Sequence, residues 1–152
     1  MTDTIREIVI QNIMARLAIM TIANGYKTNC GSNVQRVRKL LSPEELPASV
    51  VWPGTEKAEQ CYGELKNTMP VKIEGIVVFG SENPSVVSER ILGDLKKCIL
   101  SHTWIRSPDY IDKIIYTGGG TDEYPDDGMI SVGASASFDV TYTEKIGDPY
   151  SQ

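Results

Sequence analysis

The stretch ISVGASASFDVTYT, residues 130–143, decides the fold because its side chains alternate in character without interruption. Its even-numbered positions are all apolar or aromatic, and its odd-numbered positions carry no large apolar group. Successive side chains of a strand point to opposite faces, so the stretch predicts one long strand with a buried face and a solvent-facing one. At about 3.4 Å per residue it would span on the order of 45 Å, longer than most strands. We therefore expect its end to outrun a small domain and to need a pairing partner.

The same alternation predicts which side chains of this strand are buried. We expect Phe138 and Tyr142 to lie beneath helices, because they are the largest members of the apolar set. Ser135, Ser137 and Thr141 belong to the opposite set, and we expect them to remain exposed.

Length and composition limit the class of protein. The chain has 152 residues, which is enough for one domain (1–152) with a sizeable core. Its net charge of −5 argues against a basic surface that binds the phosphates of nucleic acid. Cys30, Cys61 and Cys98 form no CxxC pair, which indicates free thiols in a reducing compartment. Charged residues interrupt the first apolar residues, and no apolar run approaches the ~20 residues of a membrane span. We expect synthesis in the cytoplasm, no membrane association and no sequence-specific nucleic-acid binding.

Two helices are predicted. The first begins at the capping box Thr4-x-x-Glu7 and ends at Asn24-Gly25. Its apolar stripe is wider than one buried face needs, so the helix either packs against the sheet alone or also contacts a neighbouring subunit. The second begins at Asn83-Pro84, with asparagine as the N-cap and proline in the first turn. Its apolar stripe comprises Val87, Ile91, Leu95, Cys98 and Ile99.

The remaining segments predict a sheet. Short strands are expected at residues 26–30, 34–41, 49–52, 71–79 and 111–117, with a proline-bounded turn at 42–47 and a loop or irregular excursion at 56–69. Both helices need an apolar surface to cover. The predicted fold class is therefore α+β, a single mostly antiparallel sheet with two helices packed on one face.

The predicted strand 34–41 carries the densest positive charge of the chain, in Arg36, Arg38 and Lys39. Such residues usually form a solvated face or protect a sheet edge. The alternative is that they contact an acidic surface of a partner.

Three groups of residues are candidates for phosphate binding, calcium binding or catalysis, but each lacks the sequence pattern that the role requires. Gly118-Gly119-Gly120 is not followed by Lys-Ser/Thr and does not open a helix, as a phosphate loop would. The acidic segment that contains Asp122, Glu123, Asp126 and Asp127 misses the spacing of a calcium loop. His102 is the only histidine, and no nucleophile elbow accompanies it. We therefore expect no catalytic, cofactor-binding or metal-binding residues, and we expect His102→Ala to preserve the biological role.

A series of features follows in chain order: the amphipathic first helix ending in Asn24-Gly25-Tyr26, the arginine-bearing strand 34–41, Leu46-Pro47 before a short strand, the strand 70–75, the helix after Pro84, the closing strand 138–142 and Gly147-Asp148-Pro149-Tyr150. In these features the chain as a whole resembles the tail-terminator (minor tail, tail-completion) proteins of long-tailed bacteriophages and prophages. The resemblance covers nearly the whole chain as diffuse patterning.

The resemblance implies a structural virion protein that forms a ring, usually of six copies, on the end of the tail tube. Such a ring stops tube polymerisation and offers the head-joining surface. Its partners would be itself, the major tail-tube protein and a head-completion or connector protein, and its location the virion tail, assembled in the bacterial host cytoplasm. Two alternatives stay open: another head–tail connector of similar fold, or a small ligand-binding domain or enzyme with a pocket that no motif reveals.

The hairpin of residues 111–143 is the predicted assembly element. We expect its tip, at 118–128, to be glycine-rich and mobile until bound, and to reach subunit or tail-tube contacts. Deleting residues 121–127 should leave the fold stable and weaken ring formation or tail completion. The hypothesised interface residues are Arg36, Arg38, Asp122, Glu123, Asp126, Asp127, Ser135 and Ser137.

Overall fold

The computed structural model describes residues 2–38, 40–121 and 123–152. These residues form an α+β fold with one mixed sheet, so the predicted class and the single sheet are confirmed. The helices are α1 (Ile5–Leu17), α2 (Pro84–Leu100) and the short α3 (Arg106–Asp109), which was not predicted. The strands are β1 (Val34–Arg36), β2 (Ala48–Pro53), β3 (Lys57–Cys61), β4 (Glu64–Val78), β5 (Lys113–Gly120) and β6 (Ser131–Lys145).

The sheet has the strand order β1-β2-β4-β6-β5, and β3 pairs with the part of β4 that β2 leaves free. β1 and β2 run parallel, whereas the other four pairings are antiparallel. β4 and β6 therefore form the centre of the sheet, and β1, β3 and β5 are its outer strands.

The prediction that the long strand has an unpaired end is wrong. β6 pairs with β4 along its whole length, from Ser131 opposite Val78 to Lys145 opposite Glu64. The partner is long because the predicted irregular excursion is also wrong: it forms β3 and the start of β4, joined by a turn at Gly63 with φ +71°. All residues of β3 are exposed, so the segment lacks the apolar alternation by which a strand is recognised.

The core lies against one face of the sheet, which we call the first face. It contains the even-numbered side chains of β6 from Val132 to Tyr142 and the odd-numbered ones of β4 from Met69 to Ile73. The buried apolar residues of α1 and α2 belong to the same cluster. Phe138 is 1% exposed and Tyr142 0% exposed, as the alternation predicts.

The opposite side of β4 and β6, the second face, differs from the prediction at two positions. Its residues on these strands include Lys66, Thr68, Lys72 and Glu74 of β4 and Ser135, Ser137, Asp139, Thr141 and Thr143 of β6. Ser135 and Thr141 were expected to be exposed, but they are buried, with 5% and 3% exposure, and Ser137 is half-buried. Their side chains are short and their strand is flanked by β4 and β5, so neighbouring strands shield them from solvent.

Caps fix where the two long helices begin. Thr4 Oγ1 accepts a hydrogen bond from the Glu7 amide at 3.1 Å, and Asn83 Oδ1 accepts one from the Ser85 amide at 2.9 Å. The predicted end of the first helix is too late. α1 stops at Leu17, and Gly25, with φ +91°, closes a separate 3₁₀ turn at Ile22–Asn24.

Two more predicted strands need correction. Residues 26–30 form no strand; their amides at Lys27 and Thr28 donate to a side chain of α2 instead of a sheet neighbour. The strand predicted at 34–41 is limited to β1, because the Val37 amide donates the last backbone hydrogen bond to β2 among the described residues, to the Val51 carbonyl oxygen at 3.1 Å, and its φ of +54° interrupts the extended backbone. Lys39 lies outside the described residues.

Candidate interface surfaces

The two arginines predicted to meet an acidic partner are already paired within the chain. Arg36 Nη1 lies 2.8 and 2.7 Å from the two carboxylate oxygens of Glu7 on α1. Arg38 Nη2 lies 3.1 Å from both carboxylate oxygens of Glu45. A neighbouring subunit's carboxylates would therefore have to displace these intramolecular ion pairs.

The predicted glycine-rich hairpin tip begins later than expected. Gly118, Gly119 and Gly120 belong to β5 and lie opposite Ser137, Ala136 and Ser135 of β6 in the register. A Cβ on Gly119 would lie 2.5 Å from the Ser135 carbonyl oxygen, so this close pairing requires glycine. The three glycines are thus strand residues, and the connection between β5 and β6 comprises residues 121–130.

We call residues 123–127 the acidic segment. Glu123, Asp126 and Asp127 are exposed, and Asp122 lies outside the described residues. Part of this connection folds towards the second face, where Tyr124, Pro125 and Met129 line a groove with Glu74 and Ile76 of β4. The acidic side chains are therefore located at the end of the second face where β6 begins.

Ser135 and Ser137 occupy the middle of the second face. Ser135 lies between Glu74 of β4 and Gly120 of β5, and Ser137 lies between Lys72 and Gly118. Because Ser135 is only 5% exposed, its side chain offers little accessible area to a neighbouring subunit.

A row of lysine and threonine side chains crosses the opposite end of the second face. Lys57 of β3, Thr68 of β4, Thr141 of β6 and Lys113 of β5 lie opposite one another in the strand register. With Lys66, these residues line a groove of about 290 Å³, which we call the lysine groove; Ala58 and Glu59 complete its lining. The sequence does not reveal this groove, since its lysines come from three strands and meet only through the register.

The outer edge of β5 is open. β5 is last in the strand order, and no described residue outside β6 forms a backbone hydrogen bond with residues 113–120. Ile115 on this strand is 50% exposed. An extended edge with an exposed apolar side chain is a surface on which another strand can pair.

Two polar clusters near the core act as structural ties. The buried Asp94 carboxylate of α2 accepts hydrogen bonds from the amides of Lys27 and Thr28 and from Thr28 Oγ1, at 2.7 to 3.1 Å. The Tyr142 hydroxyl donates to Glu56 at 2.7 Å, and burial, followed by this hydrogen bond, raises the pKa of Tyr142. Nothing in the sequence distinguishes Asp94, because a lone aspartate on a helix is ordinarily solvated.

His102 lies just after α2, as predicted, at the base of α3. Its Nε2 is 3.6 Å from Asp109 Oδ2, and its ring packs edge-on against Trp104 with centroids 4.6 Å apart. Asp109 also accepts from the Ile105 amide at 3.0 Å, so these contacts hold the segment that follows α2.

The three cysteines are free thiols. Cys30 and Cys98 are buried, and burial raises the pKa of the Cys30 thiol to about 11. Cys61 is exposed at the end of β3.

Within the described ranges, no cluster of three or more histidine, cysteine or acidic side chains could hold a metal ion. Among the same residues, no helix combines the length and apolar character needed to cross a membrane. Comparison with known protein families finds no matching family model, and no curated protein matches the chain.

Proposed function

We propose that the chain is a structural assembly protein of a long-tailed phage or prophage, which forms a ring on the end of the tail tube. The ring stops tube polymerisation and provides the head-joining surface. Its partners are other copies of itself, the major tail-tube protein and a head-completion or connector protein. It needs no cofactor, and it resides in the virion tail.

The observation that carries the proposal is the difference between the two faces of the sheet, since the core cluster lies on the first face and charged side chains lie on the second. The apolar residues that α1 and α2 bury all belong to the cluster on the first face, which supports packing of both helices there. The second face and the open edge of β5 carry charged groups and the exposed Ile115. A subunit that repeats around a ring needs two such different surfaces, because each copy contacts one neighbour through each of them.

The net charge of −5 suits this role. A ring through which genomic DNA passes should not hold the DNA by its phosphates, and an acidic subunit repels them.

The first experiment measures tail length. The tail genes of the element that encodes the chain are expressed with and without it, and the tubes are measured by negative-stain electron microscopy. Without the chain we expect longer tubes of variable length, and with it tubes of uniform length. Uniform tubes in both samples would contradict the terminator role.

His102→Ala provides the matched control for this experiment. The imidazole contacts Asp109 and Trp104 at the surface, so its removal should leave tails of normal length. If His102→Ala abolishes the role while the protein stays folded, the structural assignment is wrong and catalysis becomes the better explanation.

A ligand-binding domain is the alternative from a different class. The observation that favours it is a groove of about 230 Å³ beside α2, lined in part by Lys27, Thr28, Glu82 and Arg90. Typical ligand pockets occupy ~300–1,000 Å³ and enclose most of the ligand. Thermal unfolding in the presence of small anionic metabolites tests this alternative, since a bound ligand raises the midpoint in a concentration-dependent way.

A further inference from the structure

The lysine groove is a positively charged surface in which Lys57 and Lys113 form no salt bridge among the described residues. Lys66, the third lysine, lies opposite Glu59 in the register, and its charge also acts on Asp112. All three lysines are exposed. Thr68 and Thr141 lie between Lys57 and Lys113 in the register, so the two ammonium groups flank a row of small polar side chains. The groove is therefore shaped for an extended, negatively charged segment.

The acidic segment of the same chain is too far away to occupy this groove. Glu123 lines a groove with Glu74 and Ile76, which pair with Ser135 and Gly133 of β6, whereas the lysine groove is centred on Thr141, six to eight residues further along β6. At about 3.4 Å per residue this separation is roughly 20–27 Å. Charges interact weakly in solution beyond the Debye length of about 8 Å at physiological salt, so the two ends cannot neutralise each other within one subunit.

We propose that the lysine groove of one copy binds the acidic segment, residues 123–127, of a second copy. This inference rests on the proposed function, because it names the contact through which copies of the chain assemble. The two surfaces are different and lie at opposite ends of the second face, so the contact is head-to-tail and can repeat.

Apolar side chains beside both surfaces strengthen the match. Met129 and Ile130 follow the acidic segment and are 54% and 52% exposed. Ile115, two residues after Lys113 on β5, is 50% exposed. Ion pairs at a partly apolar contact are less screened than isolated surface pairs, and the apolar groups gain burial when the copies meet.

The groove suits carboxylates of a protein better than a nucleic acid. Glu59 belongs to its lining, and Asp139 lies opposite Ile115 on the same face. A phosphate backbone would carry its charge past the lysines on both sides, towards Asp139 as well as Glu59, whereas a segment with three carboxylates can be centred on the row that joins Lys57 and Lys113.

Charge exchange between two variants tests the contact. In one variant, Lys57→Glu and Lys113→Glu make the groove acidic; in the other, Asp126→Lys and Asp127→Lys make the segment basic. Each variant alone should associate about tenfold or more weakly than the wild type, because like charges then meet. An equimolar mixture of the two should recover association, since acidic grooves then meet basic segments. The measurement is sedimentation velocity over a concentration series at 50 and 500 mM NaCl.

Lys27→Glu with Lys96→Glu is the matched control, as it makes the same change in net charge outside the groove. This control should associate like the wild type. The proposal is overturned if the two test variants associate like the wild type, if their mixture stays monomeric, or if the wild type is monomeric at every concentration. It is also overturned if a single-stranded oligonucleotide binds the wild type and Lys57→Glu with Lys113→Glu abolishes that binding while self-association persists.

Failure of this contact and failure of the proposed function give different results. If tails are still terminated normally by the charge-reversed variants, the lysine groove is not the subunit contact and the terminator role stands. If tail length does not depend on the chain at all, the terminator role fails whatever the sedimentation data show.

Discussion

The two faces of the sheet differ although they are built from the same two long strands. The first face of β6 presents large apolar side chains to the core, whereas its second face presents serine, threonine and aspartate. Burial of apolar area supplies most of the stabilising free energy, so stability should reside in the first face. The second face is then free to carry charged groups for contacts with other molecules.

The largest expected effect comes from comparing substitutions at two adjacent residues of β6, one on each face of the sheet. Phe138→Ala should lower the free energy of unfolding by about 3–5 kcal/mol, because it leaves a cavity in the core. Ser137→Ala, on the second face, should change it by less than about 0.5 kcal/mol. Urea denaturation followed by circular dichroism measures both. Similar losses for the two variants would mean that the two faces contribute equally to the free energy of unfolding.

Two neighbouring glycines sharpen the comparison. A Cβ on Gly75, which belongs to the first face of β4, would lie 2.5 Å from Ile91 Cγ2 of α2 and 3.3 Å from Cys30 Sγ. Gly75→Ala should therefore destabilise the protein by about 1–3 kcal/mol through overpacking. A Cβ on Gly133, on the second face, would lie 3.1 Å from the Gly75 carbonyl oxygen and 3.4 Å from Ile76 Cγ1.

Gly133→Ala is the control for Gly75→Ala, and its loss should be below about 1 kcal/mol, since its contacts are longer. Thermal denaturation of both variants under identical conditions gives the ranking. A larger loss for Gly133→Ala would show that the second face is the more tightly packed side.

A charged cluster at one end of the second face should make stability depend on pH. Asp112 accepts hydrogen bonds from Arg106 Nε at 2.8 Å and Thr143 Oγ1 at 2.5 Å. Burial acts to raise the pKa of Asp112, but the hydrogen bonds from Arg106 and Thr143 outweigh it, and the pKa is lowered. Stabilisation from a lowered carboxyl pKa is fully present above the unfolded value of about 3.9 and is lost as the pH falls through the folded value.

Asp112→Asn removes this contribution. At pH 7 the variant should lose about 1–2 kcal/mol of unfolding free energy, because charge-assisted hydrogen bonds become neutral ones. The difference from the wild type should shrink as the pH is lowered below about 4. Urea titrations at several pH values check this, and a difference that is constant with pH would contradict it.

The smallest expected effect is chemical rather than energetic. Cys61 is exposed on β3, while Cys30 and Cys98 are buried, and burial raises the pKa of the Cys30 thiol to about 11. A thiol reagent at pH 7 should label one cysteine per chain in the native protein and three after unfolding. Mass spectrometry of the labelled peptides identifies the site; rapid native labelling of Cys30 would place the segment before β1 outside the core.

Local features of the sequence determined the long strand, the start of both main helices and the α+β class. The alternation of residues 130–143 decides which side chains of β6 face the core, and Phe138 and Tyr142 are buried accordingly. The side chains of Thr4 and Asn83 cap their helices by accepting hydrogen bonds from amides three and two residues away, respectively. Such interactions depend on neighbours along the chain, so a sequence displays them directly.

Tertiary structure decided the features that depend on distant residues. β3 is a fully exposed strand that exists because β4 offers an edge to it, and the lysine groove exists because the register aligns Lys57 with Lys113 across two intervening strands. Ser135 and Thr141 are buried by the strands on either side rather than by their own character. Asp94 is solvent-excluded because a loop 66 residues away wraps its carboxylate. Side-chain chemistry specifies local preference, but pairing partners and register depend on the free energy of the whole fold.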